Sequence, residues 1–220
     1  RVLRTNQQLW NHQDETLTIW SDCLHARESK EESIIRIVKG KKFLISSDGF
    51  FQANLHLTDR LVEEVCRLVS ADTGTVVDAY CGSGLFSIFL SGYAKNVTGI
   101  EINEKSVHYA RRNAENAGVD NVEFISGNVE DVLQSTILSR ENKIDLMVLD
   151  PPRTGCDKIV LKSVIDLRPK KIIYISCNPA TQARDVKYLT GQGYYLRSLL
   201  PLDMFPQTEH IEVVGHLEIA

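Results

Sequence analysis

A cysteine set between an apolar strand and a proline turn is the residue of this chain best suited to covalent chemistry. Ser176-Cys177-Asn178-Pro179-Ala180-Thr181 follows the run Lys171-Ile172-Ile173-Tyr174-Ile175. A cysteine with apolar flanks is usually an inert packing residue. Cys177 falls instead at a strand end, where a partly exposed thiol can be activated by a nearby cation such as Arg153 or Arg184. A covalent cycle also needs a base. Glu212, in Thr208-Glu209-His210-Ile211-Glu212-Val213, lies in or just before the last expected strand, where apolar surroundings raise a carboxyl pKa. Glu209 and His210 rival it on spacing alone, and a solvated polar face is the ordinary reading of all three.

Two further loops carry chemistry. Asp78-Ala79-Tyr80-Cys81-Gly82-Ser83-Gly84 follows an apolar strand and opens a helix, and its glycines permit a tight turn and close approach of a ligand to the backbone. A Gly-x-Gly loop also suits a dinucleotide, but Ser87 stands where that fingerprint has its third glycine. Asp78, ahead of the loop, would repel a pyrophosphate yet could receive an ammonium. Glu101 ends the next strand, where a carboxylate can accept both hydroxyls of a ribose. A ligand with a ribose, an amino-acid group and no phosphate fits this set, and S-adenosylmethionine is such a ligand. The bland alternative makes Asp78 a helix-capping acid and Glu101 a solvated strand end. Asn128 follows a third strand and either touches an adenine edge or caps a helix. Asp150-Pro151-Pro152-Arg153 ends a fourth strand; its prolines remove two backbone donors and stiffen a rim that could hold a flat base.

These loops need a scaffold that gathers strand ends. Helical spacing runs over 57–70, about 85–91 and 104–116. Strands are expected at 75–78, 96–101, 122–125, 144–149 and 171–176, with two more near 194–200 and 210–218. Short buried strands separated by helices imply a mostly parallel sheet covered on both faces, with ligands at the carboxyl ends of the strands. Every motif above falls at such an end. Residues 1–50 read differently: Leu17–Trp20 and Ile34–Val38 alternate as short strands, with turns at Gly40 and Asp48-Gly49. The division expected is a small β-rich element over 1–50 and an α/β domain over 51–220.

Composition sets outer limits. The 220 residues suit one good-sized domain, and 43% hydrophobic with 25% charged residues is ordinary for a globular protein. A net charge of −4 argues against a broad nucleic-acid-binding surface, though not against a pocket that admits one nucleotide. The five cysteines, Cys23, Cys66, Cys81, Cys156 and Cys177, form no Cys-x-x-Cys pair, so no metal or iron–sulfur site is expected, and free thiols suggest a reducing compartment. No apolar run is long enough to suggest a membrane span, and no signal peptide opens the chain. A start at Arg1 rather than Met suggests a fragment or a processed product. A cytoplasmic monomer is the expectation.

Taken together, the motifs from Phe50 onward resemble the RNA uracil-5-methyltransferase family, which modifies transfer and ribosomal RNA. The resemblance rests on Phe50-Phe51-Gln52-Ala53-Asn54, Asp78 to Gly84, Glu101, Asn128, Asp150-Pro151-Pro152-Arg153, Ser176 to Thr181 with Arg184-Asp185, Asp203-Met204-Phe205-Pro206 and His210-Ile211-Glu212. It implies a Rossmann-like class I fold with a seven-stranded sheet whose last strand is antiparallel. It implies S-adenosylmethionine as cofactor and RNA as substrate. Cys177 would be the nucleophile and Glu212 the base. Gln52, Tyr80, Glu101 and Asp150 would contact the cofactor, joining Asp78, Gly82, Gly84 and Asn128. Phe50 would lie near the target base, with Pro151 and Arg153 on the substrate side. Members of this family commonly carry an N-terminal β-barrel that binds RNA, and some a four-cysteine cluster; neither is visible here. The alternatives are a cytosine-5 RNA methyltransferase, for which Cys156 would have to supply a second thiol, and a non-catalytic module binding S-adenosylmethionine or RNA.

Overall fold

Where apolar residues run without a break, the chain forms strands buried on both faces. The computed structural model describes residues 33–219 except 48, 53, 141 and 142. The strand expected at Leu17–Trp20, Cys23, Asp48 and Ala53 therefore lie outside the described residues. Seven strands build the main sheet: β3 (Thr73–Ala79), β4 (Ala94–Glu101), β5 (Val122–Ser126), β6 (Leu146–Leu149), β7 (Lys171–Ser176), β8 (Tyr194–Leu202) and β9 (Glu212–Ile219). Their order is β5-β4-β3-β6-β7-β9-β8. All pairings from β5 to β7 are parallel, and β9 runs antiparallel to both β7 and β8. This is the expected doubly wound sheet with an antiparallel last strand. The order reverses between β3 and β6, which opens a crevice at their carboxyl ends.

Side chains alternate along each strand, so one apolar run feeds two cores. Val76, Leu146, Val148, Ile173 and Ile175 pack on one face with helices α1 (Leu55–Arg67), α2 (Leu85–Leu90) and α3 (Glu104–Asn116). Val77, Ala79, Met147, Leu149, Ile172 and Tyr174 pack on the other. There they meet the short α4 (Val129–Val132), with its π-helical continuation Leu133–Ile137, and helices α5 (Lys158–Leu167) and α6 (Pro179–Thr190). Each fully buried Leu or Ile on these faces contributes about 1.5–3 kcal/mol. No helix among the described residues is long and apolar enough to cross a membrane.

Some boundaries moved for local reasons. Helix α1 begins at Leu55, two residues before the expected start, because the Asn54 side chain accepts from the backbone N–H groups of His56 and Leu57. Strand β6 begins at Leu146 because Asp145 turns its carboxylate to the N–H groups of Gly74 and Thr75, at 2.9 and 3.0 Å. On the edge strand β8, a shift of register at Arg197 and Pro201 near the end are tolerated because no further strand needs those backbone groups.

Ahead of the sheet, β1 (Ser33–Val38) and β2 (Lys41–Ser46) form an antiparallel hairpin. Its two-residue turn places Lys39 at φ 47° and Gly40 at φ 77°, the left-handed pair that matches strand twist. The hairpin is not a free appendage. Val38, Phe43 and Ile45 enter the core on the α1–α3 face, and Phe43 sits 6.1 Å from Phe51 and 6.0 Å from Phe89, ring to ring. Asn113 of α3 fastens it: its side chain accepts from Leu44 N–H at 2.7 Å and donates to Leu44 C=O at 2.9 Å.

Candidate active site

The glycine loop stays bonded to β4 two residues beyond β3, with Cys81 N–H donating to Ile100 C=O at 2.9 Å. It then turns through left-handed positions at Tyr80 (φ 67°), Gly82 (φ 55°) and Gly84 (φ 84°). At Gly84 even a methyl group would strike Phe124 at 2.9 Å and Ala110 at 3.2 Å, so glycine is required both by conformation and by space. Glu101 braces the turn: one carboxylate oxygen accepts from Gly82 N–H at 3.1 Å, the other from Asn103 N–H at 2.8 Å. A carboxylate offers about four acceptor positions, so two stay open for hydroxyl donors. Asn113, besides holding the hairpin, donates to Ser83 C=O at 3.0 Å and so links loop and hairpin.

Asp78 is completely enclosed beneath this loop. Ser87 donates to its Oδ2 at 2.5 Å, while its Oδ1 has no partner among the protein atoms. Burial pushes its pKa up to about 7. Ser87, which stands where a dinucleotide loop has its third glycine, thus has a positive role of its own. Asn128 occupies the N-cap position of α4, but its side chain does not cap; it is exposed and donates to Asp131 at 3.1 Å. Ile102, next to Glu101, is 63% exposed on the same rim. Its only sequence signal was an apolar residue directly after a strand-end acid.

Asp150, Cys177 and Glu212 meet at the ends of adjacent strands. Gln52 donates to Asp150 Oδ2 at 3.4 Å, which joins two residues 98 positions apart. Burial holds the Asp150 carboxyl well above the usual range, and the nearby Glu212 and Asp78 carboxyls add to that. Strand β9 begins at Glu212 and pairs Val213 with Ser176 in antiparallel register. Across the ladder, one step further on, Glu212 therefore stands against Cys177. Glu212 is only 3% exposed and its Oε1 has no hydrogen-bond partner. Burial raises its pKa to about 7. Glu209 is exposed, and His210 stacks edge-on against Phe205 at 6.2 Å. Of the three rival bases, only Glu212 is buried, and its charge acts on the Cys177 thiol.

Cys177 is partly exposed. Burial pushes its thiol above the ordinary value and the Glu212 carboxylate adds to this, while a hydrogen bond from Arg153 and its positive charge act in the opposite sense. Arg153 is thus the cation at the thiol. Arg184 is turned away, pairing with Asp185 at 2.8 Å and donating to Thr154 C=O at 3.0 Å. Pro151 is buried, and Phe50 is 73% exposed. Cys156 is buried, and burial pushes its thiol up to about 12. A separate cavity of about 390 Å³, lined by Thr75, Asn96, Thr98 and Glu123 among others, opens toward the amino ends of β3–β5 and touches none of these groups. Among the described residues, no group of three or more His, Cys, Asp or Glu side chains is arranged to hold a metal ion.

The sequence matches the family model described as tRNA (Uracil-5-)-methyltransferase over residues 30–219. The chain belongs to the tRNA (uracil-5-)-methyltransferase family. An uncharacterised RNA methyltransferase of Halalkalibacterium halodurans is 39% identical over 207 residues, covering 94% of this chain and 43% of that protein. One from Bacillus cereus is 43% identical over 185 residues, covering 83% of this chain and 40% of that protein. The crystal structure of Pyrococcus abyssi tRNA (uracil-54, C5)-methyltransferase in complex with S-adenosyl-L-homocysteine superposes with a TM-score of 0.73 at 36% identity. That likeness covers 85% of this chain and 44% of the other. The chain therefore spans less than half the length of the relatives it matches. A SAM-dependent methyltransferase described as putative, from Streptococcus mutans, shares the fold at 17% identity and a TM-score of 0.67. The sheet, with its reversal at β3 and β6, is the frame on which the glycine, Asp-Pro-Pro-Arg and Ser-Cys-Asn-Pro loops converge.

Proposed function

We propose that this chain is the catalytic part of an enzyme that methylates carbon 5 of a uridine in tRNA or rRNA, using S-adenosylmethionine, through a covalent adduct with Cys177. The observation that carries the reading is the β7–β9 register, which pairs Ser176 with Val213 and so brings their neighbours Cys177 and Glu212 to the same strand ends, with a Glu212 oxygen buried and unpartnered.

The cofactor reading is supported by donor-seeking groups at the crevice. Asp78 Oδ1 is buried without a partner, Glu101 keeps acceptor positions open, and the glycines let a ligand approach the backbone. In this reading Asp78, Tyr80, Gly82, Gly84 and Glu101 line the cofactor's place, with Gln52, Asn128 and Asp150 at its edges. S-adenosylmethionine, when bound, supplies an electrophilic methyl group. Phe50, Pro151 and Arg153 form the substrate side, and a uridine in folded RNA must be turned out of its stack to reach them.

Carbon 5 of uracil is a weak nucleophile. Addition of the Cys177 thiolate at carbon 6 forms a carbon–sulfur bond and moves the ring's electron pair into an enolate, which makes carbon 5 nucleophilic. Once carbon 5 is methylated, it carries both the methyl group and a hydrogen. Glu212 takes that hydrogen as a proton, the carbon 5–carbon 6 double bond returns and the thiolate leaves. A carboxyl with a pKa near 7 can hold and release a proton at neutral pH. The cytosine-5 alternative would require Cys156 at the reacting ring, but that thiol is buried and its backbone N–H is bound to Asp185 at 2.9 Å. A cytoplasmic setting, where tRNA and rRNA are found, is part of the proposal.

The test is a denaturing gel of protein with target RNA and a radiolabelled methyl donor. Glu212→Gln should add and methylate but fail to release, leaving a slow labelled band. Cys177→Ala should give neither band nor methylated RNA. Full activity of Cys177→Ala would overturn the covalent mechanism, and wild-type turnover by Glu212→Gln would reassign the base.

A further inference from the structure

One face of α6 grips the loop that follows Asp150-Pro151-Pro152. Asn178 Nδ2 and Thr181 Oγ1 donate to the Arg153 carbonyl at 3.1 and 3.2 Å. Arg184 donates to the carbonyls of Thr154 at 3.0 Å and Cys156 at 3.4 Å. Asp185 completes the grip from inside. Its Oδ2 accepts from Cys156 N–H at 2.9 Å and from the Tyr174 hydroxyl at 2.6 Å, while its Oδ1 accepts from Arg184 Nε at 2.8 Å. Asp185 is fully buried. Thr181 and Asp185 are four residues apart and share one face of α6, and Asn178 caps its start on the same side of the loop. Gly155, at φ 78°, lets the loop lie against that face: a Cβ there would come within 2.6 Å of both Arg184 and Asp185.

None of these contacts reaches the reacting ring, yet all fix the segment that begins with Arg153, whose carbonyl is tied to Asn178, the neighbour of Cys177, and whose charge favours the Cys177 thiolate. We infer that Asp185 is a positioning residue: by locking loop 153–156 to α6 and Tyr174, it holds Arg153 against Cys177 and so sets the reactivity of that thiol. A buried carboxylate that accepts from three donors is a rigid anchor, and removing it would leave the Tyr174 hydroxyl without its acceptor and the Cys156 N–H with only its 3.3 Å contact to the Tyr174 oxygen. This rests on Cys177 being the reactive thiol, which the gel assay above tests separately.

The experiment is the pH profile of iodoacetamide alkylation at Cys177, read by mass spectrometry of its peptide in the whole chain without RNA. Three variants are compared with the wild type: Arg153→Gln, Asp185→Asn and the exposed-side Thr181→Val, each first checked by thermal melting. Arg153→Gln should move the profile to higher pH, with alkylation at neutral pH slowed about tenfold, as expected for loss of one charge-assisted hydrogen bond to the thiolate. Asp185→Asn should move it the same way, and the double variant Asp185→Asn/Arg153→Gln should move it no further than Arg153→Gln alone. Should Asp185→Asn fail to fold, Thr181→Val carries the same comparison, with a smaller shift expected. An unchanged profile in the folded variant, or a double variant whose shifts add, would overturn the inference. A purely structural role would lower the melting temperature and leave the profile where it is. Because alkylation needs no methyl transfer, its outcome does not depend on the proposed reaction.

Discussion

Replacing Glu212 with glutamine should make the protein more stable in neutral and alkaline solution, even as it stalls turnover. Glu212 is 3% exposed, its Oε1 has no partner, and burial raises its pKa from 4.5 to about 7. The folded state thus favours the protonated carboxyl. Below about pH 4.5 the group is protonated whether folded or unfolded, and it carries no penalty. As pH rises toward 7, the unfolded chain gains free energy by ionising while the folded chain does not, so stability is lost. Above 7 the full difference is present. At about 1.4 kcal/mol per tenfold change in proton affinity, the rise amounts to about 3 kcal/mol at pH 8. Glutamine has nearly the same shape and no charge to bury. For a domain of this size about 1 kcal/mol corresponds to roughly 2–4 °C in melting temperature. Glu212→Gln should therefore melt about 6–12 °C above the wild type at pH 8 and within about 1 °C of it at pH 4. Calorimetric melts at the two pH values measure this directly. A difference of equal size at both, or a lower melting temperature for the variant at pH 8, would show that the carboxyl is not strained by burial and would remove the physical case for Glu212 as a neutral-pH base.

Two further substitutions test how the site is held. Gly84→Ala should lower the urea midpoint by the equivalent of about 1–3 kcal/mol, because its methyl group meets Phe124 and Ala110 in a left-handed backbone; an unchanged midpoint would mean the loop moves without cost. Asn113→Ala removes three hydrogen bonds, to Leu44 twice and to Ser83 once, and should destabilise by about 2–3 kcal/mol. Hydrogen exchange should then quicken at the Leu44 amide while the amides of β6 and β7 keep their protection, and retained protection at Leu44 would show that the apolar contacts of Phe43 suffice to seat the hairpin.

Local pattern carried much of this protein. Apolar runs of four to eight residues marked the parallel strands. Gly40 marked the hairpin turn, whereas the caps that Asn54, Asn103 and Asn178 form at three helix starts appear only in the structure. Because a doubly wound sheet gathers its strand ends on one edge, the order of motifs along the chain was enough to place Asp78, Glu101, Asp150 and Cys177 together. What the sequence could not decide were choices among near neighbours and partners far along the chain. Glu209, His210 and Glu212 have equal claim by spacing; what favours Glu212 is the antiparallel register of β9 against β7, since pairing Val213 with Ser176 is a fact of the sheet and not of the segment. Arg153 and Arg184 likewise stood equal until Asp185 engaged one and left the other at the thiol. Asn128 stood between an adenine contact and a cap, and its side chain does not cap. Asn113 gave no signal at all, because its partners lie 69 and 30 residues away and a buried amide in a helix has no pattern of its own. Periodicity and turn chemistry are written over a few adjacent residues, so they can be read in order. Hydrogen-bond partners and buried charges are set by which surfaces meet, and only the folded chain brings those surfaces together.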